Sequence, residues 1–483
     1  MSARVDKTVR RRAKSKCILI NEETENGSRQ FKSKVAIGLR SILIFVTASL
    51  ITAIFLECVP HAKVFPCWWS VRNHEQHATP TFALYLKGSR EIHLENVVKV
   101  LNKLGYQRVG INDSWNLLWS HDYPFLKLPL QELGKPQVVN HFPGCGYLTN
   151  KVDLSTSQLP FQPRAFRLPA DRDKFLEYAH DHPDALFVQK NNRHRQIKIK
   201  EIKEIDLQSN DSFVQEFIQR PFLVDNHKFD IGVYVVITSV NPLRVYIYTG
   251  DIRFRFCPIE YHPFDAENVG KYVVAGDFLN PWKIAALEKY HAVYGGNSRM
   301  SFEAYVRDQG RDPFKIWPQV EEIIRKTVLA KEKDIVNALH SFSTHNFFEL
   351  MRFDLFIDED LKVYLMEANM SPNLYGNQIN HLFEQVLYSA FNLVGIRSIS
   401  ATAGIMYGEN NTLLTIDQNL ATGLNQCAEH NCDQSCEKDE CDLCLMCLNE
   451  LEKETLQNAY QEHLHRVSMK RIVPKPIVDS YPI

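Results

Sequence analysis

The segment FELMRFDLFIDEDLKVYLMEAN, residues 348–369, decides the fold because it has the pattern of two β-strands joined by a tight turn. Each arm is rich in aromatic and aliphatic residues, and the polar letters DED at residues 358–360 separate the arms. Apolar runs around a short polar turn predict an antiparallel hairpin. Side chains two positions apart in a strand share a face, so Glu367 and Asn369 are expected to point the same way.

Three oxygen-bearing side chains of this hairpin are candidates for a metal site. Asp354 lies in the middle of the first predicted strand, and Glu367 and Asn369 lie at the end of the second. Antiparallel pairing can bring these positions together, and Mg²⁺ prefers carboxylate and amide oxygens as ligands. The alternative is that Asn369 caps the next turn and that Glu367 forms an ion pair with a lysine. The hairpin by itself leaves both possibilities open.

Other segments alternate between strand and helix patterns. Residues 229–250, FDIGVYVVITSVNPLRVYIYTG, contain two β-branched and aromatic runs around a turn and predict a second strand pair. Helical periodicity is present in residues 91–106 and in residues 320–339, and Gly105 is suited to the end of the first helix. Strands and helices mixed in this way predict an enzyme of the α/β or α+β class.

Length and composition are those of a folded chain with more than one unit. Its 483 residues are about enough for two to four units. Hydrophobic residues make up 45%, charged residues 23%, and the formal net charge is -1. These values exclude a fibre or a disordered tail and give no overall basic surface for nucleic acid. We therefore predict no nucleic-acid partner and expect any charged partner to bind a local patch.

An apolar run near the N-terminus predicts a membrane anchor. Residues 41–56, SILIFVTASLITAIFL, contain no charged residue and are close to the length of a membrane-spanning helix. A buried core helix and a cleaved signal peptide are the alternatives. Basic residues are concentrated before the run, so the positive-inside rule places the N-terminus in the cytosol. We expect a single-pass membrane protein of the endomembrane system whose main domain is lumenal or extracellular.

The chain divides into five predicted segments. They are a basic cytosolic tail at 1–40, a transmembrane signal anchor at 41–57, a stem at 58–78, the main domain at 79–397 and a Cys-rich extension at 398–483. Lumenal placement would allow glycosylation at the acceptor triplets of Asn112, Asn210 and Asn410, which would make the chain a glycoprotein.

Cysteine spacing predicts cross-links in the C-terminal extension. Six of the eleven cysteines lie in residues 427–447. In an oxidising compartment such a cluster predicts disulfides, although sequence cannot determine their pairing. Zinc is the alternative, because Cys441, Cys444 and Cys447 have CxxC spacing and His430 is near.

Two long blocks resemble the signature segments of a known enzyme family. They are residues 213–248, FVQEFIQRPFLVDNHKFDIGVYVVITSVNPLRVYIY, and residues 347–374, FFELMRFDLFIDEDLKVYLMEANMSPNL. Both are similar to blocks of the tubulin tyrosine ligase-like family, a branch of the ATP-grasp enzymes. Three shorter stretches resemble earlier landmarks of this family in the same order: NLLWS at 116–120, VNHFPG at 139–144 and FRLPAD at 166–171. The resemblance covers about residues 80–395.

The resemblance implies an ATP-dependent amino-acid ligase that forms an amide through an acyl-phosphate and uses Mg²⁺. The positions that match nucleotide contacts of the family are Lys190 on the phosphates, Gln215, Glu216, Phe217 and Ile218 at the adenine, and Lys228 and Asp230. Asp354, Glu367 and Asn369 match the metal ligands, and Arg253 matches a substrate-binding arginine that acts in catalysis with Glu367. Taken singly, the lysines could be solvated charges, Asp230 a turn residue and Arg253 part of a surface ion pair.

Two departures from the family pattern concern the phosphates. Family members usually carry an arginine two residues after the aspartate of KFD, whereas this chain has Gly232. Residues 191–200, NNRHRQIKIK, contain no glycine where the family has a glycine-bearing loop. Loss of a desolvated cation beside a developing phosphate charge costs about 3 to 4 kcal/mol by analogy with a lost oxyanion donor.

Three functions remain open from sequence. The first is a ligase that adds glutamate, its co-substrate, to the acidic C-terminal tail of tubulin or of another Glu-rich protein, which would make the chain a tubulin polyglutamylase. The second is a catalytically weakened pseudoenzyme or binding scaffold, suggested by Gly232 and the glycine-free loop. The third is a ligase that acts on an acidic substrate of the secretory pathway, suggested by the predicted membrane anchor.

Overall fold

The computed structural model describes most of the chain from residue 79 onward. The described ranges are 79–86, 91–134, 136–191, 197–342, 346–376, 379–396, 424–438, 441, 444 and 446–474. The predicted tail, anchor and stem lie outside these ranges. The boundaries of the five segments therefore stay a prediction.

The strands of the described ranges form three sheets. In chain order they are β1 Thr81–Tyr85, β2 Gln107–Arg108, β3 Leu117–Ser120, β4 Val138–Val139, β5 Ala165–Leu168, β6 Leu186–Asn191, β7 Ile199–Lys200, β8 Ser212–Phe217, β9 Phe229–Val240, β10 Leu243–Tyr248, β11 Arg253–Phe256, β12 Glu349–Ile357, β13 Val363–Asn369 and β14 Met469–Val473. A four-stranded parallel sheet has the order β2-β1-β3-β4, and a four-stranded antiparallel sheet has the order β5-β8-β6-β7.

The main sheet has six described strands, all paired antiparallel. Its order is β13-β12-β9-β10-β14, and β11 pairs with β9 beside β10. The central strand β9 contacts β12 along one edge, while β11 and β10 pair with successive parts of its other edge. Side chains of β12, β9 and β11 can therefore meet near the N-terminal end of β9, where β11 pairs with it.

Helices cover the sheets and connect them. In chain order the described α-helices are α1 Glu95–Lys103, α2 Gly146–Thr149, α3 Lys151–Ser155, α4 Arg172–Asp181, α5 Ala285–Val293, α6 Ser298–Asp308, α7 Ile316–Leu339, α8 Asn380–Leu393, α9 Leu424–Glu429 and α10 Glu450–Leu464. Short 3₁₀ turns span Glu91–Leu94, Pro124–Leu126, Ile202–Glu204, Val269–Lys271, Pro281–Lys283 and Pro313–Lys315. The predicted mixture of strands and helices is confirmed.

The strand β9 is buried on both faces, which explains its nearly continuous apolar sequence. Val233 belongs to a core that includes Ile324 of α7, whereas Val236 belongs to a core that includes Phe383 of α8. Successive side chains of a strand point to opposite faces, so odd and even positions contact different helices. Burial of each such side chain contributes about 1.5–3 kcal/mol. These contacts hold the main sheet rigidly between α7 and α8.

The hairpin of residues 348–369 is confirmed as β12 and β13. Its register places Asp354 opposite Glu367 and Arg352 opposite Asn369, with an irregularity after Asp354. Leu361 in the turn has φ of +63°, a left-handed conformation that permits the tight reversal. The second predicted strand pair is confirmed as β9 and β10, and the two predicted helices are confirmed as α1 and α7. Gly105 follows α1 with φ of +86°, as its predicted position required.

The C-terminal extension is cross-linked and adds a strand to the main sheet. Disulfides join Cys427 to Cys444, Cys432 to Cys441 and Cys436 to Cys447, so the disulfide alternative holds over zinc. β14 pairs with β10 at the edge of the main sheet. Glu462 of α10 accepts hydrogen bonds from Arg244 Nε and Nη2 at 2.9 and 3.0 Å and one from the Tyr246 hydroxyl at 2.9 Å. This buried network attaches the extension to β10.

The predicted membrane location requires correction. None of the described helices is long and apolar enough to cross a membrane. The longest of them, α7, has 24 residues, but charged residues interrupt it, whereas a membrane-spanning helix needs about 20 predominantly apolar ones. The run at 41–57 lies outside the described ranges. We withdraw the predictions of a membrane protein, a signal anchor and a lumenal main domain, and with them the glycoprotein prediction that depended on lumenal placement.

Candidate active site

A cavity of about 200 Å³ lies between the four-stranded antiparallel sheet and the main sheet. Eight of the predicted site residues line it: Lys190, Glu216, Phe217, Ile218, Lys228, Asp230, Asp354 and Glu367. Gln215 is buried in β8 beside them, and Asn369 lines an adjoining, more open cavity of about 700 Å³ that also contacts Lys151. The structure therefore brings together residues that are separated by up to 179 positions in the chain.

A row of charged residues lies on one face of the main sheet. Residues directly opposite one another in antiparallel strands share a face. Asp230 lies opposite Arg255, Gly232 lies opposite Asp354 on β12, and Asp354 in turn lies opposite Glu367. Three neighbouring strand pairings thus place carboxylates and guanidinium groups on a single surface that closes one side of the cavity.

Asp354 is the most heavily bonded carboxylate of this row. Its two oxygens accept hydrogen bonds from Arg352 Nε and Nη2 at 2.6 and 2.8 Å, and Oδ2 also accepts one from Arg255 Nη2 at 3.0 Å. The residue is only 2% exposed. Burial by itself would raise the pKa of Asp354, but the charges of Arg352 and Arg255 outweigh burial and lower this pKa to about 2. Asp354 is therefore a carboxylate at any physiological pH.

Asp230 shares Arg255 with Asp354. Arg255 donates from Nε and Nη2 to the two oxygens of Asp230 at 2.8 Å each. Burial raises the pKa of Asp230, Arg255 offsets part of this effect, and the negative charge of Asp354 adds to it. The shared guanidinium therefore links the ionisation of these two acids.

Glu367 and Asn369 complete the polar end of the hairpin. The Asn369 amide nitrogen donates to Asp354 Oδ2 at 3.1 Å and to Glu367 Oε1 at 3.3 Å. Glu367 Oε2 also forms an ion pair with Lys151 of α3. Glu367 therefore pairs with a lysine, as the alternative prediction had it, and the three side chains also meet as predicted.

Two lysines enter the cavity with lowered pKa values. Lys190 donates to Gln215 Oε1 at 2.9 Å, and burial lowers its pKa to about 8, an effect that Glu367 partly offsets. Lys228 donates to the backbone carbonyl of Tyr272 at 2.9 Å, and burial likewise lowers its pKa to about 8. For both lysines burial outweighs the attraction of a nearby acid, Glu367 for Lys190 and Asp230 for Lys228. Both ammonium groups therefore favour an additional anionic ligand.

The lining of the cavity is partly aromatic. The Lys228 ammonium lies 4.8 Å from the ring centroid of Phe217, and that ring makes an edge contact with Tyr272. Glu216 accepts a hydrogen bond from the Tyr178 hydroxyl at 2.9 Å, which orients its side chain at the edge of the cavity. Ile218 follows β8 directly and lines the same cavity. A flat, apolar group bounded by polar groups fits this lining.

Arg253 does not line this cavity. It borders two neighbouring cavities of about 420 and 450 Å³, next to Phe278 and α8. Its guanidinium lies 5.1 Å from the ring of Phe278 and 5.5 Å from that of Phe383. Arg253 is 8% exposed, and its Nε and Nη1 form no hydrogen bond with any residue that the structure describes. Burial lowers the pKa of this guanidinium, and a bound anion would satisfy its unused donors.

Sequence reasoning missed three cations of the site. Arg255 and Arg352 each lie two residues from a predicted site residue in a strand, so their same-face position was available from strand periodicity. Lys151 gave no such indication, because it reaches Glu367 from a helix 216 residues earlier in the chain.

Comparison with known proteins identifies the family. Residues 130–402 match the tubulin-tyrosine ligase family. The chain is 42% identical over 401 residues to "Probable tubulin polyglutamylase ttll-15" of Caenorhabditis elegans, an alignment that covers 79% of this chain and 78% of the relative. With this fold and this extent of similarity, the chain belongs to the tubulin-tyrosine ligase family.

Further relatives match over a smaller share of their own length. Mouse "Tubulin polyglutamylase TTLL6" is 28% identical over 62% of this chain and 39% of the relative. Human "Tubulin polyglutamylase TTLL5" is 30% identical over 58% of this chain and 23% of the relative. The chain therefore spans less than half of the length of these two mammalian relatives. The predicted family and the predicted ligase class are confirmed, and none of these names refers to a membrane protein.

Proposed function

We propose that this chain is an ATP-dependent ligase that joins glutamate to side-chain carboxylates in the acidic C-terminal tail of tubulin. The observation that carries the proposal is the convergence of Lys190, Lys228 and the pair Asp354 and Glu367 on one cavity. Two ammonium groups and two carboxylates that line one cavity suit a nucleotide polyphosphate with its divalent cation. The choice of glutamate and tubulin comes from the names of the relatives.

Lys190 and Lys228 are proposed to contact the phosphates of ATP. Burial lowers the pKa of both lysines because it disfavours their positive charge. Phosphate oxygens would stabilise that charge, and this attraction would contribute to ATP affinity. Residues 215–218 would hold the adenine, because Phe217 and Ile218 give an apolar lining. Asp230 would keep Arg255 in place beside the phosphates.

Asp354, Glu367 and Asn369 are proposed to hold Mg²⁺, and the donor set fits this ion. Two carboxylates and one amide are hard oxygen donors, and both carboxylates lie within 3.3 Å of the same amide nitrogen of Asn369. An amide turned about its side-chain bond would present its oxygen at that place. When bound, the ion supplies positive charge that offsets charge on the transferring phosphoryl group.

The reaction consists of two displacements. The acceptor carboxylate attacks the γ-phosphorus of ATP, the bond to the β-phosphate oxygen breaks, and ADP leaves with formation of an acyl-phosphate. The amine of glutamate then attacks the acyl carbon, loses a proton and expels inorganic phosphate, which leaves an amide. Lys190 and Lys228 stabilise negative charge on the nucleotide side, and Arg255 does so from the sheet.

Arg253 is proposed to bind the carboxylate of the incoming glutamate. Arg253 lines a cavity separate from that of the nucleotide, as two substrates of a ligase require. A planar guanidinium matches a carboxylate with two parallel hydrogen bonds. The more open cavity beside Asn369 and Lys151 is the proposed entrance for the acidic acceptor.

A binding scaffold without turnover is the second candidate. It is favoured by Gly232, because glycine provides no cation where the family usually has arginine. The two candidates differ in product formation and not in nucleotide binding.

The deciding experiment supplies the purified full-length chain with Mg-ATP, labelled glutamate and tubulin-tail peptides. Glu367→Gln is the matched control, because it keeps the size of the side chain and removes the charge. Incorporation that disappears in Glu367→Gln supports the ligase. ATP binding without incorporation into any acidic peptide favours the scaffold, and absence of Mg-dependent ATP binding contradicts both candidates.

A further inference from the structure

The space beside Gly232 is filled by a side chain from the next strand. A Cβ atom at position 232 would lie 2.8 Å from Arg352 Cδ and 3.2 Å from Arg352 Nε. Real Cβ atoms are essentially never found within 3.0 Å of another side chain. Any larger residue at position 232 would therefore push the Arg352 side chain away from its observed path.

Arg352 uses this space to reach Asp354. Arg352 and Asp354 lie two residues apart in β12 and share a face, and Gly232 lies directly opposite Asp354 on β9. The guanidinium makes two parallel hydrogen bonds to the carboxylate, at 2.6 and 2.8 Å. Arg352 is 6% exposed, so the pair is shielded from water and its attraction is stronger than on a surface.

We infer that Gly232 and Arg352 act as one unit, in which the glycine provides the space and Arg352 is the positioning residue that fixes Asp354 for Mg-ATP. This inference rests on the proposed nucleotide and metal site. Arg352 brings a guanidinium from β12 to the place where position 232 on β9 has no side chain. Gly232 is then a condition for an intact site and not a sign of its decay.

The arrangement around Asp354 explains why a second guanidinium matters. Arg255 contacts only Oδ2 of Asp354 and is itself held by both oxygens of Asp230. Of the described side chains that donate hydrogen bonds to Asp354, only Arg352 reaches both of its oxygens. Without Arg352, the Asp354 carboxylate could rotate towards Arg255, and its orientation to the metal would be lost. Removal of a hydrogen-bonding partner behind a metal ligand typically costs 10–100-fold in metal affinity.

The test exchanges the two residues in the full-length chain. The variants are Arg352→Gly, Gly232→Arg and the double exchange, and calorimetry measures ATP binding as a function of Mg²⁺ concentration. We expect Arg352→Gly to raise the Mg²⁺ concentration for half-maximal ATP binding by about 10–100-fold. Gly232→Arg should show a comparable loss because it displaces Arg352. The double exchange should regain at least about tenfold, since one guanidinium again lies beside Asp354.

Arg244→Gly is the matched control for the loss of a buried arginine. Arg244 also makes two hydrogen bonds to a buried carboxylate, that of Glu462, but at the other end of the main sheet. This variant should lose thermal stability without a change in Mg²⁺ dependence. If Arg352→Gly does not fold, Arg352→Lys keeps the charge without the two parallel hydrogen bonds and should show an intermediate shift.

Three results would overturn the inference. The first is a parent-like Mg²⁺ dependence in folded Arg352→Gly or Arg352→Lys while the parent binds Mg-ATP. The second is a double exchange that binds no better than either single variant. The third is a parent protein that binds no Mg-ATP. That result would also contradict the proposed function, and the measurement on the parent alone distinguishes it from the first two results.

Discussion

Raising the pH from 7 to 9 should weaken ATP binding, because the two lysines of the cavity have lowered pKa values. Burial lowers the pKa of Lys190 and of Lys228 to about 8 each in the free protein. Phosphate attracts only the protonated ammonium, and bound phosphate raises the pKa again towards its ordinary value. Above pH 8, ATP binding must therefore be accompanied by proton uptake.

The magnitude follows from the titration curve. With a pKa of about 8, roughly nine-tenths of each free lysine is protonated at pH 7 and roughly one-tenth at pH 9. Each lysine should therefore cost about tenfold in affinity over this interval, or about 1.4 kcal/mol. Both together should cost about 100-fold if they titrate independently. A lysine with an ordinary pKa of about 10.4 would stay almost fully protonated and cost less than about 10%.

The assay is calorimetric titration of the full-length chain with Mg-ATP at several pH values. Buffers of different ionisation enthalpy report the number of protons taken up on binding. Lys190→Arg and Lys228→Arg are the matched controls, because arginine stays charged at pH 9 and each variant should remove one lysine's share of the pH dependence. An affinity that stays constant from pH 7 to pH 9 in the unsubstituted protein would refute this reasoning.

Three further predictions concern other residues of the fold and the site. Asp354→Asn should abolish Mg-dependent ATP binding and lower the free energy of unfolding by about 3–5 kcal/mol, because it leaves the buried Arg352 without its carboxylate; urea denaturation checks the second effect. Arg253→Ala should raise KM for glutamate by about 30-fold or more with no change in ATP affinity, and an equal loss of both in steady-state kinetics would speak against its proposed role. Arg244→Met should cost about 3–5 kcal/mol of unfolding free energy because Glu462 stays buried, and a Tm equal to that of the parent would contradict this.

Strand periodicity indicated the proposed metal ligands, whereas the other candidate site residues came from the family resemblance. The alternation of side chains along a strand is enough to place Glu367 and Asn369 on one face, and the folded hairpin puts Asp354 on the same face. The same rule applies to Arg352 and Asp354, but no local pattern shows that the guanidinium turns towards the carboxylate. That orientation depends on the missing side chain of Gly232 on the neighbouring strand.

The membrane prediction shows the limit of reasoning from composition. An apolar run near a basic N-terminus is consistent with an anchor, a core helix or a signal peptide, because hydropathy measures only transfer from water. The anchor, the lumenal placement and the glycosylation all depend on a single choice among these alternatives. The three predictions therefore fail together.

The sequence by itself determined the local elements: the hairpin of β12 and β13, the strand pair of β9 and β10, and the amphipathic helices. Their periodicity depends only on residues that are close in the chain. The family resemblance added the candidate nucleotide-binding and substrate-binding residues. Only the tertiary structure decided which distant groups meet, such as Lys151 with Glu367, the pairing of six cysteines and the attachment of β14 to β10. These contacts arise when separate elements bury their apolar faces together, and no local pattern contains that information.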